Sequence, residues 1–556
     1  MADETQALRG ISWRETFPFT HLFRTFRVAI HPSKLLLGLT ALIVLYVGGQ
    51  TLDVIWPVSY RAVPGDVEQY EFARLNSGVN FYTMRDAKRK DIETGYASLL
   101  EEYKVVSKHS DAVTAASSGN LLGDLKSKII ETRNNRVADL DKALAAQKDA
   151  AKGVTDSALA KKHVTDAQLA HDNGVRDEYD RASYAYNAAE QIKNEGIFDA
   201  FFYYERTQFN GVITAVKRLD WVNGYHSIEH FFAFGPVWLL TQHPVYFFLF
   251  LILFASTWAV FGGAIARIAA VHVARDEKLS IRAALRFSSG KFLSFLFAPI
   301  IPLLIVAGLG LVITVLAAVV LWAPFVGPII AGAFFFILLA LGFIMSLVLV
   351  GTVGGFNLMY PTIAVEGSDS FDAISRSFSY LYARPWRLAF YTLVSIVYGA
   401  ITYTFLKLFI SLMLKLIHTF AGYGVFRSAD NARPLLDTLW PPPGEFAHLS
   451  YNVQTLTLGP GEKLGAYLIA MWIYLVIAIL GAYAISFYFS ANTLIYYLMR
   501  NEVDATDMED VYVEQQDDDL PDTAPTTPPE PTPPPAETPA AAPLEPPAAI
   551  DPPASA

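Results

Sequence analysis

Cysteine is absent from this chain of 556 residues, and charged residues make up only 17% of it. The absence of cysteine excludes disulfide bonds as a source of stability. Between residues 58 and 242, the one large region outside the long apolar runs, no stretch of any length alternates between apolar and polar residues, which argues against a β-rich domain there. No G-x-x-x-x-G-K-[ST] motif is present, so the chain has no P-loop for binding a nucleotide.

What the chain does have is six long apolar runs, at roughly residues 34–56, 244–270, 292–322, 329–355, 388–415 and 465–492. A hydrocarbon core about 30 Å thick is crossed by roughly 20 apolar residues in a helix, and each run is long enough. The sequence therefore predicts an all-α protein, a six-span transmembrane helical bundle. Its first partner is the lipid bilayer, and nucleic acid is not expected among its partners.

Basic residues in the short connections predict the orientation. Lys and Arg precede the first run and fill the connections between runs two and three and between runs four and five. Because such loops stay in the cytoplasm, both termini are predicted to be cytoplasmic in a bacterial inner membrane. The sequence is predicted to begin with a cytoplasmic amphipathic segment at 1–33, followed by span one at 34–57 and an extracytoplasmic domain at 58–242. A five-helix membrane domain at 243–499 follows, with an external loop at 416–464, and the chain ends in a tail at 500–556.

The tail holds the acidity of the chain. Residues 501–556 contain 14 Asp or Glu and no Lys or Arg, whereas the whole chain has a formal charge of -10. The tail also contains 14 Pro within residues 521–553. A segment of this composition cannot bury a core, so it is predicted to be disordered and to extend into the cytoplasm.

The region between the first and second runs is predicted to be helical, because it is polar, rich in Ala and almost free of Pro. Apolar residues recur there at near-heptad spacing, as at Ile130, Val137, Leu140 and Leu144. Narrow apolar stripes of this kind are typical of antiparallel coiled coils. We expect an extracytoplasmic helical coiled-coil insertion between spans one and two, which offers its surface to a protein partner.

A short pattern is repeated in the basic connections. Ser280-Ile-Arg-Ala-Ala-Leu-Arg286 matches Ser370-Phe-Asp-Ala-Ile-Ser-Arg376, and each precedes an outward-going span. Amphipathic helices of this type place apolar residues at the headgroup boundary and arginine at phosphate level. The predicted docking residues for a cytoplasmic partner, which in the permease-like alternative is a separate ATPase, are Ser280, Arg286, Glu366, Ser370 and Arg376.

The second copy of this pattern also suggests a family. Tyr360-Pro-Thr-Ile-Ala-Val-Glu366, followed by Ser370 and Arg376, resembles a loop of bacterial proteins of the glycerophosphodiester-phosphodiesterase membrane-domain and Yip-like type. In those proteins a Pro, a following Glu and an Ala- and Ser-containing stretch lie between two membrane helices. The resemblance covers about 30 residues and implies a fold neighbourhood rather than an activity.

Other residues suggest contacts among the spans. Gly351 and Gly355 permit a close approach in span four, and Asn357 is expected to hydrogen bond to another helix. Ionisable residues lie near the ends of the runs. Asp53 is expected to reach water at the outer end of span one, and Arg267 to extend its guanidinium to the inner interface.

The sequence offers little catalytic chemistry. His226-Ser-Ile-Glu229-His230 has the form H-x-x-E-H, a zinc-protease signature, but a catalytic zinc ion needs a third protein ligand. No catalytic residue, cofactor or metal site is predicted. The favoured hypothesis is a non-enzymatic membrane organiser or scaffold. The alternatives are a permease-like subunit that works with a separate ATPase and, third, an enzyme acting on lipid.

Overall fold

The computed structural model describes residues 17–105, 120–153, 157–322, 324–425, 428–430, 433–443, 458 and 460–512. Six helices are long and apolar enough to cross a membrane: span one Pro32–Ile55, span two Pro244–Arg275, span three Phe292–Leu321, span four Phe335–Glu366, span five Pro385–Tyr423 and span six Gly461–Asp504. The predicted all-α fold is confirmed, as is the prediction of six helices that are long and apolar enough to cross a membrane. The predicted tail from residue 513 onward, residues 1–16 and residues 444–457 of the predicted external loop lie outside the described residues.

Spans one, three and five begin at one end of the bundle, which we call the loop side. It carries two short helices, the first loop helix Ile281–Gly290 and the second loop helix Ser370–Ala383. An N-terminal segment, formed by a 3-10 helix at Pro18–Arg24 and an α-helix at Thr25–Ala29, lies on the same side. Each of these three elements directly precedes a span that begins on the loop side, and for the two loop helices this agrees with the repeated pattern in the sequence.

The opposite end, the insertion side, carries the described residues 57–105, 120–153 and 157–243. The α-helices of this insertion are Asp66–Leu75, Phe81–Glu102, Asn120–Ala151, Ser157–Glu190, Ile197–Arg218, Trp221–Ala233 and Gly235–Gln242, with 3-10 turns at Val58–Tyr60 and Gln191–Lys193. The two longest, the hairpin helices, pack antiparallel: Arg136 pairs with Glu178 at 3.1 Å, and His171 lies 2.8 Å from Asp141. Between spans five and six, strands Ser428–Asp430 and Arg433–Pro434 pair antiparallel ahead of a helix at Leu435–Leu439.

The core of the bundle lies where spans two, four and six pack together near the loop side. Every residue of span two from Gly263 to Ala274 is buried except His272. Small residues allow this approach, because a Cβ at Gly263 would lie 2.8 Å from the Phe295 ring of span three. Span two contains a π-helical turn at Trp258–Gly262, just before this buried stretch.

Spans three and four leave the core towards the insertion side. Span four begins at Phe335, after a separate helix at Val326–Ala333, and continues to Glu366, whereas the sequence predicts it at 329–355. Span four therefore extends beyond the end of the apolar run. It can do so because protein, rather than lipid, surrounds the residues of its last turns. Between Leu303 and Val350, the only buried residue among those described is Gly327. This part of the two spans, which we call the outer hairpin, buries little of its surface, although the Tyr382 hydroxyl of the second loop helix donates to the Leu347 oxygen at 2.5 Å.

Candidate functional site

The two predicted docking sequences form equivalent short helices. The hydroxyl oxygen of Ser280 accepts a hydrogen bond from the backbone N–H of Ala283 at 3.2 Å, which caps the first loop helix. In the second loop helix Ser370 is the first helical residue, and Asp369 is the cap, accepting from the N–H of Asp372 at 2.9 Å. The two serines therefore lie at helix starts, offset by one residue.

The two arginines of the pattern differ in their surroundings. Arg286 is exposed on the first loop helix. The guanidinium of Arg376 instead forms ion pairs inside the chain, with Nε 2.8 Å from Glu366 Oε2 and 3.2 Å from Asp372 Oδ1. Arg376 would have to exchange these contacts before it could bind a partner, whereas Arg286 would not.

Glu366 lies at the centre of an ion-pair network on the loop side. Its side chain is only 10% exposed, and besides Arg376 it pairs with Arg500 of span six, Nε to Oε1 at 3.4 Å. Tyr496 donates its hydroxyl to the same carboxylate. The phenol of Tyr380 donates to Asp504 Oδ2 at 2.5 Å, so the network joins span four, the second loop helix and the end of span six.

The predicted packing residues of span four face the second loop helix or span six. A Cβ at Gly351 would lie 2.7 Å from the Phe378 ring, and one at Gly355 would lie 3.4 Å from it. The partner of these glycines is therefore the second loop helix rather than another span. Asn357 Oδ1 accepts a hydrogen bond from the Tyr488 hydroxyl of span six at 2.6 Å.

Arg267 does not extend to the interface as expected. It is 6% exposed, and its guanidinium donates to the backbone oxygens of Ala364 at 2.7 Å and Tyr512 at 2.6 Å. It also lies over the ring of Phe287, 4.3 Å from the centroid. The expectation was wrong because parts of the chain that are distant in sequence surround Arg267. Their backbone oxygens accept the hydrogen bonds of its guanidinium group.

Asp53 is likewise buried, at 5% exposed, although the sequence suggested contact with water. The insertion folds back over the end of span one and brings two donors to the carboxylate. The backbone N–H of Phe198 lies 3.1 Å from both oxygens, and the Tyr246 hydroxyl of span two donates at 2.8 Å. A Cβ at Gly196 would lie 2.1 Å from Asp53 Oδ2, so glycine is required beside the carboxylate.

This junction, formed by Asp53, Gly196, Phe198, Asp199 and Tyr246, connects the insertion to spans one and two. Gln50 Nε2 donates to Asp199 Oδ1 at 2.5 Å, which adds a second tie between span one and the same helix start. Burial raises the pKa of the Asp199 carboxyl, against the effect of this hydrogen bond. None of these contacts is evident from the sequence, since the partners lie more than 140 positions apart.

A small recess of about 140 Å³ lies next to the junction, lined by Gly65, Glu68, Glu195, Ala200 and Tyr203. Burial raises the pKa of Glu195 to about 7, and the nearby carboxylates of Asp199 and Glu68 add to the effect. The N–H of Glu195 donates to the Ala62 oxygen at 2.9 Å, which ties the two crossing segments of the insertion. The Glu195 carboxyl at the base of the insertion is therefore sensitive to pH near neutrality.

The H-x-x-E-H sequence does not gather its side chains around one point. His226 Nδ1 lies 3.4 Å from Glu229 Oε2, whereas His230 Nδ1 lies 3.1 Å from Glu71 on another helix. Across the part of the chain that the structure describes, no group of three or more His, Asp and Glu side chains is arranged to hold a metal ion. Comparison with known proteins gives no match to this chain among family descriptions, curated sequences or solved structures.

Proposed function

We propose that the chain is a non-enzymatic membrane organiser, in which the six spans form an anchor and the insertion presents a rigid helical hairpin to a protein partner. The buried junction at Asp53 supports this proposal most directly. A carboxylate that accepts from both Phe198 of the insertion and Tyr246 of span two holds the insertion to the bundle. A scaffold needs such a fixed connection, because its role is to hold a partner in a defined position and not to catalyse a reaction.

The hairpin helices provide the surface for the partner. Their packing buries small residues of the second hairpin helix, such as Ala185 at 4% exposed, and leaves Tyr184 78% and Leu169 61% exposed. We propose that the pair forms an antiparallel coiled coil and that these exposed apolar side chains contact the partner. Aromatic residues of this kind are enriched at the centres of protein interfaces.

We place the loop side in the cytoplasm and the hairpin outside it, in a bacterial inner membrane. The basic residues of the loop side support this orientation, since Arg275, Lys278, Arg282 and Arg286 are all exposed there. With six spans, both described ends of the bundle lie on the same side. The accessibility of a single introduced cysteine from either side is convenient to measure, because the chain has no cysteine of its own.

Photo-crosslinking in intact cells tests the organiser proposal. A photoreactive residue at Tyr184 is expected to give one discrete adduct with a second protein, and a residue at the neighbouring Ala185 serves as the matched control because it faces the first hairpin helix. The adduct should weaken when Asp53 is replaced by Ala, because the hairpin then loses its fixed position. Absence of any adduct from both Tyr184 and Leu169 would contradict the proposal.

The permease-like alternative is supported by one observation, the exposed arginines Arg282 and Arg286 on the first loop helix. In that case the first loop helix docks a separate ATPase, and the second loop helix, whose arginine pairs with Glu366, is not the contact. Replacing Arg286 by Glu should then abolish co-purification of an ATPase. Unchanged association in R286E protein would rule out this docking mode.

A further inference from the structure

The loop-side ends of spans two and four are covered by a short segment that follows span six. This strap, Ala505–Tyr512, turns back towards span four. The N–H of Tyr512 donates to the Val365 oxygen at 2.8 Å, and its own oxygen accepts from Arg267 Nη2 at 2.6 Å. Val365 belongs to the last turn of span four, whose carbonyl groups have no partner within the helix. The strap therefore satisfies backbone groups that the helix end leaves open.

Three consecutive residues of the strap, Asp510, Val511 and Tyr512, make the contacts that define the groove. Asp510 Oδ2 accepts from Arg500 Nη2 at 2.8 Å, and Val511 is buried at 5% exposed. The Tyr512 ring lies over Gly367, where a Cβ would be 2.7 Å from the ring and the backbone has a φ of 65°. Glycine is needed there on both counts. The groove thus contacts an acidic, an aliphatic and an aromatic residue in succession, and the aromatic one remains 45% exposed.

The same segment is weakly held along the rest of its length. Val511 is the only strap residue that is buried, and Asp507, Glu509 and Asp510 are exposed. The strap begins at Ala505, whose φ of 52° is unfavourable for a residue other than glycine. Segments with few buried contacts and strained starts open at low free energy while the rest of a protein stays folded.

We propose that this groove, formed by Arg267, Ala364, Val365, Gly367 and Arg500, is a peptide-binding site that Asp510–Tyr512 occupies as a built-in ligand. A protein partner on the loop side displaces the strap by presenting an extended acidic–aliphatic–aromatic sequence. Recognition combines backbone hydrogen bonds with side-chain contacts, as in other grooves that take extended peptides. This site is independent of the hairpin and goes beyond the organiser proposal.

The test uses the full-length protein in detergent, with Met508 replaced by Cys as the only thiol. Met508 is partly buried against the bundle core, so maleimide should label the M508C thiol slowly. A synthetic peptide with the sequence MEDVYVE, which copies residues 508–514, is then added. Saturable acceleration of labelling by about tenfold is expected, because displacement raises the open population. A control peptide with Ser in place of the central Val and Tyr should have no effect.

Two matched variants in the M508C background distinguish a specific effect on the groove from a general loosening of the strap. Asp510 and Asp507 are both exposed acidic residues of the strap, but only the Asp510 side chain pairs with Arg500. D510N should increase the labelling rate and lower the peptide concentration needed for half effect, whereas D507N should change neither. Equal effects of the two variants, or no acceleration by the MEDVYVE peptide, would overturn the proposal. The peptide measurement needs no destabilising variant, and its failure would leave the hairpin proposal untouched.

Discussion

Replacing Asp53 by Ala gives the sharpest prediction, because one carboxylate connects three parts of the chain. It accepts from the Phe198 N–H at 3.1 Å and from the Tyr246 hydroxyl at 2.8 Å, and it is 5% exposed. Hydrogen bonds to a charged group contribute about 1.5–3 kcal/mol each, and the variant also leaves two buried donors without an acceptor. We therefore expect a loss of about 3–5 kcal/mol in the local stability of the junction.

Hydrogen–deuterium exchange of the Phe198 amide measures this loss directly. A change of 1.4 kcal/mol corresponds to tenfold in an equilibrium constant, so D53A should accelerate exchange by about 10²- to 4 × 10³-fold. Tyr246→Phe removes one donor and should cost about 1–2 kcal/mol, and the double variant should cost less than the sum.

Asp139→Ala is the matched control, since its side chain is 73% exposed and its pair with Lys142 is expected to contribute about 0–0.5 kcal/mol. Exchange at Phe198 that differs less than about threefold between D53A and the unchanged protein would refute the reasoning.

Three further predictions concern packing, charge and pH. Gly351→Ala should lower the melting temperature in detergent, at a cost of about 1–3 kcal/mol, because the added Cβ meets Phe378; Gly342→Ala, which has nothing within 4 Å, should not. Glu366→Gln should destabilise the loop side by about 3 kcal/mol, measured by the same melting experiment, since two arginines lose a shared carboxylate. Because the folded-state pKa of Glu195 is raised to about 7 from 4.5, its contribution to stability is present at low pH and is lost as pH rises through 7. In the Glu195→Gln variant the melting temperature should change less with pH, between about 5 and 8, than in the unchanged protein. Identical slopes of melting temperature against pH in the two proteins would contradict this assignment.

The sequence predicts those features that depend on local composition. Apolar length alone identifies the six spans, and the repeated Ser-to-Arg pattern identifies both loop helices. The loop resemblance to the glycerophosphodiester-phosphodiesterase membrane-domain and Yip-like type stays a prediction. Composition does not reveal where protein surrounds a charged group, as it does at Asp53 and Arg267. The partners of these groups come from distant parts of the chain.

The hairpin shows the same limit at finer scale. Leu144 of the predicted stripe is buried, but near Ile130 the more buried residue is Ile129, and Arg133 lies in the seam at 5% exposed. The Arg133 guanidinium lies 4.7 Å from the centroid of the Tyr179 ring, which accounts for a charge at an otherwise apolar position. An argument from hydrophobic spacing considers apolar residues alone, so it does not find Arg133.

The outer hairpin of spans three and four has a consequence for how this sequence can change over generations. Among the described residues between Leu303 and Val350, only Gly327 is buried. Exchanges among Leu, Ile, Val and Phe at the exposed positions there keep the preference for acyl chains and disturb no buried neighbour. Lineages that carry this protein are therefore expected to drift rapidly along the outer hairpin while retaining Gly263 and Gly351, where added carbon meets a ring.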